Sequence, residues 1–285
     1  MTLHPDMARQ WKRVAACLLL GTAALALTGC GQLKARTKMR EAMDHYNKED
    51  YKFACPAFEE ALRYRTDDLE LKKTLAYCYM AWYKPLDSTP DNLGLIDKAA
   101  KLFREILAVH PDDEKLRDSL LALYLNAERY NDAIGVMKDL LQKKPNDINI
   151  MKQIASLYQR AGDLDTSFTW YEKWAQVEPR NPDPWYTIGS RCWSKSYCEP
   201  NRCEDPNLAM DKRQAYIRRG LDALSKAIAL DSGYCEAVAY RNLLYRERAK
   251  WIDFGDRRAR DEALRLADAD RDLAVDCINK KKLKK

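Results

Sequence analysis

The chain has 285 residues, 46% of them hydrophobic and 32% charged, with 10 Gly and 11 Pro, which excludes collagen-like, low-complexity and disordered classes and leaves a globular, helix-compatible protein. Forty-nine Lys and Arg against 43 Asp and Glu give a net charge of +6, whose meaning depends on where the basic residues sit. Three His leave little for histidine-based metal or acid–base sites, and nine Cys are too few for a small disulfide scaffold.

Arg9, Lys12 and Arg13 precede an apolar run from Val14 to Leu27. The run is too short to span a bilayer comfortably and has the flanks of a secretory leader. It ends in Leu27-Thr28-Gly29-Cys30, which resembles the bacterial lipobox. That resemblance implies cleavage after residue 29, thioether lipidation of Cys30 and a lipid-anchored protein outside the cytoplasm; an ordinary leader with Cys30 as a plain thiol is the alternative. By similarity to enterobacterial sorting, Gly31 after the cysteine implies the outer membrane, facing the periplasm. Beyond residue 29 the chain retains 46 basic and 42 acidic residues, and five of the basic ones are Lys280, Lys281, Lys282, Lys284 and Lys285. The body itself is close to neutral, so no nucleic-acid partner is expected.

Residues 35–234 carry an internal period. Pro111, Pro145 and Pro179 are 34 residues apart, and the same step joins Tyr124 to Tyr158, Leu121 to Ala155 to Gly189, Ala99 to Ala133, and Phe103 to Met137 to Tyr171. Each column has a use in a helix–turn–helix unit: a small residue admits the second helix, aromatic residues and Met fill the hairpin, and Pro ends it. The pattern resembles tetratricopeptide repeats, most closely over 114–181, through Leu120, Leu121, Tyr124, Ala133, Met137, Leu140 and Pro145, then Ile154, Ala155, Tyr158, Gly162 and Pro179. A weaker copy lies at 35–68, and two further units hold insertions near 83–93 and 194–212. The resemblance implies an all-α, right-handed tetratricopeptide superhelix, an α-solenoid of about five repeats over residues 30–234. Residues 235–285 then form a C-terminal helical hairpin cap and basic tail. In that cap Ala263, Leu266, Ala267, Leu273, Ala274, Cys277 and Ile278 show helical spacing, and Asp268, Asp270, Asp272 and Asp276 read as an exposed, salt-bridged face.

Tetratricopeptide arrays bind partners on the inner face of their first helices, and the inward positions carry over to this chain residue by residue. They fall on Met39, Met43, Tyr46, Lys73, Tyr77, Met80, Asp118, Ala122, Leu125, Lys152, Ser156, Gln159, Tyr186, Ser190 and Trp193. Lys73 and Lys152 lack the Asn residues of the family's carboxylate clamp, so a chaperone-tail receptor is not supported. The Met and aromatic positions suit a helical or extended protein segment; half-buried aromatics covered by the chain itself are the competing reading. The aromatic residues between Phe168 and Tyr197, Trp170, Tyr171, Trp174 and Trp185 among them, fall mostly at core columns.

With Cys17 in the leader and Cys30 at the lipobox, seven cysteines remain. Cys55 and Cys78 lie on helices that pack together in this architecture, Cys235 and Cys277 on the two arms of the last hairpin, and Cys198 and Cys203 at the ends of a short loop, which makes each pair a possible disulfide. Free buried thiols are the alternative. A zinc site from Cys192, Cys198 and Cys203 lacks paired Cys-x-x-Cys spacing and a nearby His. His45 and His110 sit where packing and capping account for them, and no phosphate loop, nucleophile elbow or paired-carboxylate constellation stands out. The expectation is a non-enzymatic envelope scaffold, without metal or cofactor beyond the lipid at Cys30. Its groove would hold partner proteins of an outer-membrane assembly, a pilus or secretin, or gliding or adhesion machinery. The rival is an accessory that binds cell-wall glycan or polysaccharide through Trp185, Tyr186 and Trp193.

Overall fold

In a computed structural model the described residues are 31–199 and 202–283, and among them every regular element is a helix. The leader, the lipobox with Cys30, and Lys284 and Lys285 lie outside the described residues. Helix α1 covers 31–46, followed by α2 (Tyr51–Tyr64), α3 (Leu69–Trp82), α4 (Pro90–Val109), α5 (Glu114–Asn126), α6 (Tyr130–Lys143), α7 (Ile148–Arg160), α8 (Leu164–Val177), α9 (Asp183–Ser196), α10 (Met210–Leu230), α11 (Cys235–Trp251) and α12 (Arg257–Leu283). The chain divides between Ala133 and Ile134 into two compact units.

In the first unit α2 packs on α3, α3 on α4, and α4 on α5. The period columns supply this core: Phe58, Ala61, Leu75, Ala76, Ala99, Phe103, Leu120 and Tyr124 are all buried. Several helices begin where a side chain takes over a free N–H group. Asp68 accepts from the Leu71 N–H, Asp113 from Leu116, and Asp147, in the second unit, from Asn149 and Ile150. Asp113, Asp147 and Asn181 stand 34 residues apart and two after each Pro of the period, and the Asn181 side chain accepts from the Asp183 N–H. Replacing Asp113 or Asp147 by Ala should therefore cost about 1 kcal/mol each in a denaturant titration. A cost within error at both sites would show that the caps add nothing beyond the packing.

The insertions are partly helical, which shifts their boundaries from those expected. Repeats without an insertion have second helices of 14 residues in α2, α6 and α8, whereas α4 has 20 and α10 has 21. The first irregular stretch is thus 83–89, and the second covers 197–199 and 202–209 among the described residues. The buried Asn92 closes the first: its Oδ1 accepts from the Lys84 N–H at 2.9 Å, and its Nδ2 donates to the carbonyls of Lys84 and Asp87 at 2.8 and 2.7 Å. Arg213 ties the second, donating to the carbonyls of Ser196 at 2.5 Å and Asp205 at 3.3 Å, with its guanidinium 4.8 Å from the Trp251 ring.

In the second unit α7 packs on α8, α8 on α9, α9 on α10, α10 on α11, and α11 on α12. Ile217, Leu224, Ala227, Ala237 and Leu244 form its fully buried centre. The cap departs from the expected pattern. Leu273 and Ile278 are exposed, and the inward stripe of α12 is Ala263, Ala267, Asp270 and Ala274. Asp270 is not on the solvated face with Asp268 and Asp272. It is buried and accepts two bonds from Arg241, at 2.7 and 2.8 Å, which compensates the desolvation of the carboxylate.

Candidate protein-interaction surface

The inner face of the first unit opens between α1 and α3. Met43, Tyr46, Thr74, Tyr77, Met80 and Ala81 line a groove of about 490 Å³, and none of the six is an Asp, Glu, Lys, Arg or His. The helix period explains the grouping: Met43 and Tyr46 are three apart on α1, and Thr74, Tyr77, Met80 and Ala81 follow one stripe of α3. The rings are fixed from behind. Tyr46 meets Phe58 edge-on at 6.4 Å and Tyr51 at 5.5 Å, and burial holds its phenol above the ordinary range. Tyr77 stands edge-on to Phe103 at 5.3 Å, and its hydroxyl is 2.9 Å from that of Ser119. The two Met side chains supply polarizable, adaptable surface between rigid rings. Met39 lies to one side, where its sulfur takes a contact from Arg65 at 3.7 Å. Lys73 and Leu125 are half-buried, outside the groove lining.

The inward positions of the second unit are engaged by the chain's own residues. The Lys152 ammonium sits 3.9 Å from the centre of the Trp174 ring. Gln159 donates from Nε2 to the hydroxyls of Ser167 and Tyr171, both at 3.1 Å, and so ties α7 to α8. Gln159 also borders a polar hollow of about 400 Å³ with Ser156, Arg191 and Lys195. There Lys195 pairs with Asp205 at 3.2 Å and Glu204 at 3.6 Å, both carried by the second insertion.

Tyr186 and Trp193 do not face an open groove. The Tyr186 ring lies 5.0 Å from Tyr234 and 5.7 Å from Tyr240, and Trp193 lies 5.1 Å from Tyr197 and 5.4 Å from Tyr240. Helix α11 lies over both, because Ala237 and Leu244 beside Tyr240 belong to the buried centre and draw the helix down. Trp185 carries the Lys226 ammonium at 4.5 Å. The three aromatics that a sugar ring would need for stacking are therefore engaged by α9, α10, α11 and the second insertion.

The cysteines pair as Cys55 with Cys78, Cys198 with Cys203, and Cys235 with Cys277, with Cα–Cα distances of 5.8, 4.3 and 5.6 Å. Cys192 is the free cysteine among the described residues, and burial pushes its thiol far above the ordinary range. A three-thiolate zinc set is thereby broken up, since two of its members are bonded to each other. His45 faces Asp50 at 3.3 Å and stacks on Phe53, bracketing the turn from α1 to α2; His110 ends α4 through its backbone N–H.

No family model matches the chain. Among curated proteins it is 29% identical over 160 residues to the photosystem I assembly protein Ycf3 of Prochlorococcus marinus, across 52% of this chain and 87% of that protein. It is 23% identical over 151 residues to mouse tetratricopeptide repeat protein 21A, across 53% of this chain and 11% of that protein. The BBSome complex member BBS4 of Bos taurus is 24% identical, across 49% of this chain and 31% of that protein. The chain thus spans under a third of the length of the last two. Among solved structures, a TPR repeats protein of Bacteroides fragilis aligns over 74% of this chain and 97% of that one, at 15% identity and a TM-score of 0.43. The 34-residue columns and the helix pairs on which they fall give the chain the fold of a tetratricopeptide-type array, the repeat for which the mouse relative is named.

Proposed function

We propose that the chain is a non-enzymatic scaffold lipoprotein of the cell envelope, anchored through acylated Cys30, whose first-unit groove holds a segment of a partner protein. The observation that carries the reading is the groove itself. Met43, Tyr46, Tyr77 and Met80 are presented on two helices whose rings are braced from behind, so a partner's apolar side chains would meet an already ordered surface. Its uncharged lining favours an apolar or amphipathic segment over an acidic peptide. Three disulfides support an address outside the cytoplasm, where such bonds persist, and this agrees with the lipobox pattern at 27–30. The role printed for the Prochlorococcus relative, an assembly protein, is of the same kind.

Four measurements test the reading, two at the groove and two at the anchor. A photocrosslinking residue at position 80, introduced in the native cell, should trap an envelope protein, whereas the same residue at 186 should trap none. Changing Met80 to Glu should weaken retention of the trapped protein at least ten-fold, since burying a carboxylate against Tyr46 and Tyr77 is unfavourable. Mass spectrometry of the mature N-terminus should find acyl chains on Cys30, and Cys30→Ser should release the protein from the membrane fraction. Equal crosslinking at 80 and 186 would sink the groove assignment, and an unmodified Cys30 would sink the anchor.

A further inference from the structure

The end of α12 outruns the fold. Its inward stripe finishes at Ala274, and no later residue of the helix is buried. The Cys235–Cys277 bond pins it to the first residue of α11, so the helix continues for six described residues, about 9 Å, past its partner's start. On this projection Lys280, Lys281 and Lys282 are exposed, and the sequence adds Lys284 and Lys285. One contact is drawn back to the body, an exposed Lys281–Glu236 pair at 3.7 Å, which contributes little. Apolar side chains stand among the lysines: Val275 is 51% exposed, Ile278 40% and Leu283 88%.

We propose that this lysine-bearing end of α12 docks on an anionic phospholipid bilayer. Charge complementarity selects the partner. Lys280, Lys281 and Lys282 stand exposed at one helix end of a chain that beyond residue 29 holds 46 basic and 42 acidic residues, so positive potential gathers at that end. The exposed apolar side chains decide between a bilayer and an acidic protein surface. An acidic protein surface would satisfy the lysines and leave Leu283 and Ile278 in water. The headgroup boundary accepts both, with the apolar groups inserted and the Lys ammonium groups extended toward phosphate. The disulfide at Cys277 holds the tip at a fixed place on the second unit, so that docking would orient the fold against the membrane. This inference stands on α12 alone and does not require acylation of Cys30.

The test uses a chain beginning at residue 30 with Cys30→Ser, which keeps every contact described above and carries no acyl group. It is mixed with vesicles of phosphatidylcholine alone, or with 30% phosphatidylglycerol, and separated by flotation. The chain should float with the anionic vesicles and stay behind with the neutral ones. Each lysine near the surface is worth about a five-fold change in partitioning. Changing all five to Gln should therefore lower partitioning at least a hundred-fold, with an unaltered circular dichroism spectrum. Leu283→Gln should lower it several-fold with all five lysines present and no charge added, a loss that a purely electrostatic contact with any acidic surface would not show. Equal flotation with both vesicles, no flotation with either, or indifference to the Lys→Gln changes would overturn the proposal. None of these outcomes bears on the anchor, which the mass of the mature N-terminus reports separately.

Discussion

Replacing both Cys235 and Cys277 by Ala should destabilise the C-terminal hairpin by about 4 kcal/mol, the loop-closure entropy expected for a sequence separation of 42. The same pair of changes at Cys198 and Cys203, separated by five residues, should cost about 2 kcal/mol by the same relation. The cap is the more sensitive place because its buried seam is built from small side chains. Helix α12 packs chiefly on α11, and it buries three alanines where α10 buries Tyr216, Ile217 and Leu224. Small side chains remove little apolar area from water, so the bond and the Arg241–Asp270 pair carry a larger share of the stability there than elsewhere. The loss should be local: amide exchange in α12 accelerates, and proteolysis appears near the 252–256 turn, while α2 to α5 keep their protection. Unchanged exchange in α12 after removal of the bond would refute this account.

Most of the helical framework is readable from residues because a repeat imposes the same demand several times. A column such as Ala99 and Ala133, or Phe103, Met137 and Tyr171, records one packing requirement at successive hairpins, and all five positions are buried. The Asp113, Asp147 and Asn181 column has the same period and marks the helix starts, a signal less conspicuous than the prolines two residues before it. Where the period stops, so does the guidance. The cap has one copy of each position, and apolar spacing alone groups Leu273 and Ile278 with Ala263, Ala267 and Ala274, whereas the close approach of α12 to α11 selects alanine at the contact and turns the larger residues outward. Asp270 looked like its exposed neighbours because sequence spacing does not reveal that Arg241 waits across the interface. The insertions contain helix for a related reason: from the repeat alone, added residues read as loop, yet α4 and α10 each lengthen by about two turns.

The groove divides along the same line. Inward offsets brought Met43, Tyr46, Tyr77 and Met80 to one hollow, since these depend on local helix geometry. Lys152, Gln159, Tyr186 and Trp193 share the offsets and meet other side chains instead, because what covers an inward position comes from elsewhere in the chain. For Tyr186 and Trp193 the covering element is α11, whose Tyr234 and Tyr240 have no counterpart in the repeat.

Gly220→Ala and Gly135→Ala should have opposite effects, although both add one methyl group to a helix. A Cβ at position 135 meets nothing within 4 Å, so alanine there should stabilise by about 0.5–1 kcal/mol through backbone entropy. A Cβ at position 220 would lie 2.5 Å from Cδ1 of Leu244 and 2.8 Å from the Cβ of Cys192. Leu244 is fully buried and has little room to turn, and the Cβ of Cys192 moves only with the α9 backbone, so accommodation requires α9 and α10 to separate. The cost should be about 2 kcal/mol for Ala and more for Val, at the upper end of what overpacking a well-filled core produces. Gly189 is a related case, since its added Cβ would lie 2.3 Å from Cγ and 2.6 Å from Cδ2 of Leu224, which is as fully buried as Leu244. Gly189→Ala should therefore cost about as much as Gly220→Ala. The order expected from urea midpoints is Gly135→Ala above the parent chain, and the parent above both Gly189→Ala and Gly220→Ala. A Gly220→Ala midpoint above the parent would mean that α9, α10 and α11 are packed less closely than these distances require. The engagement of Tyr186 and Trp193 depends on that packing, and the inner face of the second unit would then be open to a ligand after all.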